Sequence, residues 1–149
     1  MYYQCPHPDA LAGTMLLLHC NEGDNFHFTE DLPEDNLPPH AILSHRWLET
    51  PEKVDFMTLS HGQDREKQGH KKLRFCVEQA RRDGLRYFWV DTCCINKANK
   101  AGLFRSINST FRWYQNAKVC YVYLSGVASY VSNNDCVNGL RQSTWFSRA

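Results

Sequence analysis

The distribution of apolar residues along the chain predicts alternating strands and helices. Short apolar or alternating runs between turn residues predict strands, whereas apolar residues three or four positions apart predict helices. The predicted strands cover residues 15–20, 26–28, 41–44, 86–91 and 119–124, and the predicted helices cover residues 69–83 and 102–116. The first two strands flank a turn at Asn21 and Gly23 and form a small N-terminal β-hairpin in this interpretation.

The spacing within each helix also predicts which residues face the core. In the first helix, the inward residues are Leu73, Cys76, Val77 and Ala80, and the solvated basic ones are Lys71, Lys72, Arg74, Arg81 and Arg82. In the second helix, the apolar positions are Leu103, Ile107, Phe111 and Tyr114. The segments Tyr87–Val90 and Val119–Leu124 predict buried strands, and residues 48–68 predict a loop with a short helical turn.

From residue 41 onwards, strands and helices alternate, which defines the predicted fold class. Strand–helix–strand crossovers in one sheet are right-handed and give parallel strands covered by helices. The prediction is therefore an α/β fold with a central, mostly parallel sheet flanked by helices, together with the N-terminal hairpin.

Composition is that of an ordinary globular domain, with 42% hydrophobic and 22% charged residues. The chain lacks an apolar run of the roughly 20 residues that a membrane helix needs, and its first residues lack the pattern of a secretion signal. We therefore expect a cytoplasmic protein without membrane association. Residues 1–45 hold seven acids and no Lys or Arg, whereas the remainder holds seventeen basic residues and nine acids. These two parts should attract each other, and the mixed basic part is a poor signal for nucleic-acid binding.

Seven cysteines, an odd number without a secretion signal, indicate reduced thiols. Cys76, Cys94 and Cys120 have apolar neighbours, and Cys93 is the one expected to reach solvent. Adjacent Cys93 and Cys94 lack the gap of a redox or zinc pair. Four further candidate zinc ligands follow no strong spacing pattern, so no metal site is predicted; they are Cys5, His7, His19 and Cys20.

The predicted site lies where two neighbouring parallel strands end, because ligands of open α/β sheets bind beyond the carboxyl ends of the strands. The candidate ligand-binding residues are Ser44, His45, Arg46, Trp47, Asp91, Cys94 and Asn96. A Ser44–His45–Asp91 triad is one reading. Adjacent Ser44 and His45 should point apart, however, and a Gly-x-Ser-x-Gly elbow is missing. The simpler reading is that Ser44 caps a turn and Asp91 accepts hydrogen bonds from loop amides.

Four blocks of sequence, in order over about residues 15–148, resemble the HET domain of fungal heterokaryon-incompatibility proteins. They are Ala41-Ile42-Leu43-Ser44-His45-Arg46-Trp47, then Tyr87 to Lys97 with its Trp-Val-Asp-Thr-Cys-Cys-Ile core, then Ile107 to Leu124, and finally Trp145-Phe146-Ser147-Arg148. The resemblance implies a TIR-like (toll/interleukin-receptor-like), broadly Rossmann-like fold. It predicts a flexible segment at 1–14 and a HET domain at 15–149 that is truncated at its C-terminal end.

The resemblance also implies a function. HET domains trigger programmed cell death in filamentous fungi when non-self is sensed, so self-association or protein partners are expected. Because some TIR-like domains cleave NAD, NAD is a candidate substrate, although no bound cofactor is predicted, and Asp91 is the candidate catalytic residue. Acids usual before the third block are replaced by Gly102 and Arg105, and Leu48 stands where Gly usually follows the Trp. A degenerate, inactive HET fragment therefore remains an alternative.

Overall fold

The computed structural model describes residues 13–49 and 51–124 of the chain. The seven strands are β1 (Thr14–Met15), β2 (Leu18–Cys20), β3 (Phe26–Phe28), β4 (Leu32–Pro33), β5 (His40–His45), β6 (Tyr87–Trp89) and β7 (Val119–Tyr123). The four helices are α1 (Phe56–Ser60), α2 (Gln68–Arg82), α3 (Asp91–Cys94) and α4 (Lys100–Asn116). The predicted features at residues 1–12, 126–138 and 145–148 lie outside the described residues.

Five strands form one mixed sheet in the order β3-β2-β6-β5-β7. Strand β5 pairs in parallel with β6 and β7, whereas β2 pairs antiparallel with both β3 and β6. The α/β class is confirmed, but a mostly parallel sheet is wrong. The predicted hairpin forms the antiparallel part of the main sheet, because pairing with β2 satisfies the backbone groups of β6 along its second edge. Strands β1 and β4 make a separate two-stranded sheet.

The core occupies both faces of this sheet. Neighbouring residues of a strand point to opposite faces. Phe88 of β6 packs against Phe26 on the face covered by α2, whereas Trp89 packs edge-on against Trp113 of α4. Both β6 side chains are 1% exposed. The helices that follow β5 and β6 thus cover opposite faces of the sheet, which is the arrangement expected at a switch point.

Helix α2 begins beside a close backbone contact at Gly69. A Cβ atom at this position would lie 2.7 Å from the backbone nitrogen of Val54, and the Gly69 N–H donates to the Glu52 carbonyl at 3.0 Å. A larger residue would push the segment 52–54 away from the helix. The small residue therefore fixes Lys53 and Val54 next to the carboxyl ends of β5 and β6.

Two predictions about burial are wrong. Strand β7 is an edge strand with Cys120 exposed and Val122 half exposed, because it pairs only with β5 within the described residues. Helix α4 is where the spacing predicts it, but Ile107 and Phe111 are exposed at 60% and 74%. Trp113 provides the buried contact of α4 instead, since it meets Trp89.

The acidic N-terminal part contacts the basic remainder, as the charge distribution predicts. Arg112 of α4 lies 2.9 Å from the nearly buried carboxylate of Glu34, and Arg74 of α2 lies 3.5 Å from Asp24. Both arginines are more than half exposed, so each pair adds little to stability. Of the segment 1–14 that the sequence predicts to be flexible, the structure describes Gly13 and Thr14: Gly13 is buried, and Thr14 begins β1.

Candidate functional site

Asp91 is the centre of a hydrogen-bond network at the carboxyl ends of β5 and β6. Its Oδ1 accepts from His45 Nε2 at 3.0 Å and from the Thr92 backbone N–H at 2.7 Å. Its Oδ2 accepts from Trp47 Nε1 at 2.7 Å. Both carboxylate oxygens are therefore engaged by the protein itself. This geometry matches the predicted role of Asp91 as an acceptor for a loop amide.

The network holds Asp91 ionised. Burial raises the pKa of its carboxyl, but hydrogen bonds from His45, Trp47 and Thr92 favour the charged form more strongly, and the net pKa lies below the ordinary value. His45 donates through Nε2, and its Nδ1 lies 3.1 Å from the Arg46 carbonyl oxygen. The Lys72 ammonium lies 3.3 Å from that Nδ1 and also donates to the Arg46 carbonyl. Lys72, His45 and Asp91 thus form a continuous chain of polar contacts.

Lys72 is a lysine in the interior, with 5% of its surface exposed. Burial lowers the pKa of its ammonium to about 8, while Asp91 raises the pKa and the neighbouring Arg46 lowers it. The predicted solvated position of Lys72 is wrong. It lies at the margin of the apolar face of α2, three residues after Gly69 and four before Cys76, and the helix turns it towards β5.

We expect the stability of the protein relative to a Lys72→Met variant to increase with pH. Between about pH 8 and 10.5 the unfolded chain keeps a proton on Lys72 that the folded chain has released, so rising pH favours the folded state. The difference in free energy of unfolding should change by about 2–3 kcal/mol over this range. Urea unfolding of both proteins across the range measures it. The exposed neighbour provides the control, since Lys71→Met should show no such change; equal curves for the two variants would contradict the assignment.

Two further lysines lie close to the face of the Trp47 ring. Lys97 Nζ lies 4.0 Å from the centroid of the Trp47 ring, and Lys53 Nζ lies 5.2 Å from it. Burial lowers the pKa of Lys97, and repulsion from the Lys53 ammonium lowers it further, so the two positive charges are close neighbours. Trp47 is 53% exposed while its indole N–H is fixed on Asp91. The exposed ring and these two lysines therefore form a positively charged surface beside the hydrogen-bond network of Asp91.

A narrow cleft opens next to this surface. Its interior volume is about 10 Å³, roughly what one water molecule needs, and far below the range of about 300–1,000 Å³ that small-molecule sites occupy. His45, Lys53, Lys72, Thr92 and Cys93 supply its polar lining. A larger group could therefore contact the polar lining only from the mouth of the cleft.

The other candidate residues lie outside the network. Ser44 precedes His45 in β5, so its side chain lies on the opposite face of the strand and outside the contacts of Asp91, and the triad does not assemble. Cys94 is buried, its Sγ accepts the Val90 N–H at 3.4 Å, and burial raises the pKa of its thiol. Asn96 Oδ1 accepts the Ala98 N–H at 3.1 Å. Cys93 is buried rather than exposed, and burial raises the pKa of its thiol to about 12.

Gly102 and Arg105, at the positions where the resemblance implies acids, line a separate cavity of about 280 Å³. Asn96 and Asn99 lie in the same cavity, and Asp31 provides a carboxylate from the N-terminal part. Asn99 also caps α4, since its Oδ1 accepts the Gly102 N–H at 3.0 Å. This cavity is distinct from the cleft beside Lys72.

Three functional candidates, Lys53, Lys72 and Lys97, are absent from the sequence prediction. Only Lys72 carries a signal, its place at the edge of an apolar helix face. Lys53 and Lys97 lie in polar segments in which nothing distinguishes them from solvated lysines. Among residues 13–49 and 51–124, no cluster of three or more His, Cys, Asp or Glu side chains is arranged to hold a metal ion. Nor does this part of the chain contain a helix that is long and apolar enough to cross a membrane.

Comparison with known proteins gives two matches in sequence. Residues 40–149 match the profile of the heterokaryon incompatibility protein (HET) family. The chain is also 48% identical over 115 residues to the vegetative incompatibility protein HET-E-1 of Podospora anserina. That alignment covers 77% of this chain and 8% of the relative, so the chain corresponds to a small part of a much longer protein. No solved structure matches the chain.

Proposed function

Because the chain belongs to the heterokaryon incompatibility (HET) family, we propose that it is a fungal non-self recognition module that signals programmed cell death through self-association in the cytoplasm. Family membership supports the role in incompatibility. The shared region is only 8% of that relative, so the role proposed here is that of this one region. The TIR-like character of the fold belongs to the same proposal.

The observation that carries self-association is an apolar stripe on α4. Phe104, Ile107 and Phe111 are 68%, 60% and 74% exposed. Their spacing of three and four residues places them on one face of the helix. Soluble monomers rarely expose contiguous apolar surface of this kind, and such surface marks sites of protein association. A second copy of the chain is the partner we propose, since the stripe can pack on itself across a two-fold axis.

Cleavage of NAD is the alternative function, and the site gives it less support. A catalytic carboxylate needs a free oxygen towards the substrate, whereas both oxygens of Asp91 accept hydrogen bonds from the protein. The adjoining cleft is narrow, and neither Gly102 nor Arg105 can serve as a general base. These points favour a module that acts by association.

We expect a Phe104→Ser/Phe111→Ser variant to associate at least about tenfold more weakly than the natural chain, because two apolar rings no longer leave water on assembly. Sedimentation velocity across a range of protein concentrations measures this change. Expression of the natural chain in a filamentous fungus should kill the cells, and the variant should not.

The control is Met57→Ser, which removes an exposed apolar side chain of α1. It should leave association and cell killing unchanged. A natural chain that stays monomeric at high concentration yet kills cells would refute self-association. Nicotinamide release from NAD by the folded monomer, lost in Asp91→Asn, would establish the enzymatic alternative instead.

A further inference from the structure

We propose that Lys53, Lys72 and Lys97, grouped around Trp47 and the adjoining cleft, bind the phosphate group of a small molecule. This inference rests on the arrangement of charges at the ends of β5 and β6. It does not depend on self-association or on cell-death signalling.

The first argument is the crowding of like charges. The ammonium groups of Lys53 and Lys97 share one indole ring, and each lies within 5.2 Å of its centroid. Within residues 13–49 and 51–124, neither lysine forms a salt bridge. Two ammonium groups held this close repel each other, and a phosphate between them would relieve the repulsion. An anion is therefore the ligand that this surface favours.

The second argument is that the nearby carboxylates already accept hydrogen bonds from other groups of the protein. Both carboxylate oxygens of Asp91 accept hydrogen bonds, which come from His45, Trp47 and the Thr92 backbone N–H. Asp55, the other acid that acts on Lys97, caps α1 by accepting the Thr58 N–H at 3.0 Å. Both acids lower the net positive charge, but neither forms a salt bridge with these lysines, since Asp91 uses both oxygens elsewhere and Asp55 uses Oδ1 in the cap of α1. Phosphate oxygens would meet donors that lack such a partner.

The third argument is position and size. Lys53 and Lys72 line one cleft, at the point where the connections after β5 and β6 leave to opposite faces of the sheet. Open α/β sheets bind their ligands at such a point. The interior of the cleft has space for about one water molecule, so a phosphate would lie at its mouth, beside Lys53 and Trp47, with Lys72 in the wall behind it. The shared chemistry of candidate ligands is thus the phosphate itself.

The test is titration of the full chain with inorganic pyrophosphate, followed by calorimetry and by the indole N–H resonances in a nitrogen–proton NMR spectrum. The chain has four tryptophans, so a Trp47→Phe variant assigns the Trp47 resonance. We expect saturable binding that shifts the Trp47 resonance. In Lys53→Met/Lys97→Met the affinity should fall at least about tenfold, because two charge-assisted contacts are lost.

A Lys71→Met/Lys118→Met variant is the matched control, since it removes the same charge from two exposed lysines elsewhere. It should bind pyrophosphate within about twofold of the natural chain. Equal loss in both variants, or no saturable binding by folded protein, would overturn the proposal. ADP added in place of pyrophosphate separates the sources of the ligand: tighter binding identifies a nucleotide, and equal binding identifies the phosphates alone. Binding of an oligonucleotide but not of pyrophosphate would also count against the proposal.

Discussion

Replacing Trp89 with alanine should lower the free energy of unfolding by about 3–5 kcal/mol, which is the cost of deleting a large buried aromatic side chain. Trp89 is 1% exposed and lies in the central part of the sheet. Its ring meets Trp113 edge-on, with centroids 5.4 Å apart, and also contacts Tyr114. The substitution would remove the contact that fixes α4 on the sheet. Urea unfolding monitored by circular dichroism measures the loss.

A Trp89→Phe variant separates packing from hydrogen bonding. The indole nitrogen of Trp89 is buried and has no hydrogen-bond partner among the described residues. Phenylalanine keeps most of the ring and removes this unsatisfied donor, so we expect a loss below about 1.5 kcal/mol. If phenylalanine proved as damaging as alanine, the indole nitrogen would have a partner and the packing explanation would fail.

Replacing Asp91 with alanine should cost about 2–4 kcal/mol at neutral pH. The variant would leave three donors without their acceptor, among them the ring of His45, whose side chain is only 4% exposed. It would also remove the negative charge that supports the Lys72 ammonium. A Glu78→Ala variant, which removes an exposed acid of α2, should change stability by less than about 0.5 kcal/mol.

The effect of Asp91→Ala should depend on pH in a defined direction. The folded-state pKa of this carboxyl lies below its ordinary value of 3.8. Its contribution to stability is therefore complete above about pH 4 and is lost as the pH falls through the folded-state pKa. The gap in free energy of unfolding between the natural chain and the variant should narrow in acid. A gap that stays constant from pH 6 to about pH 2 would show that the charged form of Asp91 is not the stabilising one.

The sequence predicts the elements of this fold better than their arrangement. Helices α2 and α4 and strands β3 and β5 lie within one or two residues of their predicted bounds, because local spacing determines them. The predicted strand at 15–20 is two strands, β1 and β2, that join different sheets. Whether β2 pairs with β6 depends on contacts between distant residues. Periodicity within a segment carries no information about those contacts.

The site, likewise, could be predicted only in part. His45, Trp47 and Asp91 could be predicted to meet, because parallel neighbouring strands bring their carboxyl ends together. The lysines could not, since Lys97 follows the turn after α3 and reaches Trp47 only through the tertiary fold. The apolar spacing of α4 also could not show that Phe111 is exposed. Phe111 and Trp113 are both aromatic, and only the packing against Trp89 decides which of them turns inward.

The antiparallel attachment of β2 to β6 affects how the boundary of the domain should be drawn. The family match begins at residue 40, whereas β2 and β3 end by residue 28. Two of the five strands of the main sheet therefore lie upstream of the region that relatives share by profile. A fragment that starts at residue 40 would keep every matched position and still uncover one edge of β6 and the Phe26 contact of Phe88. The folding unit thus begins before the region that the family profile matches.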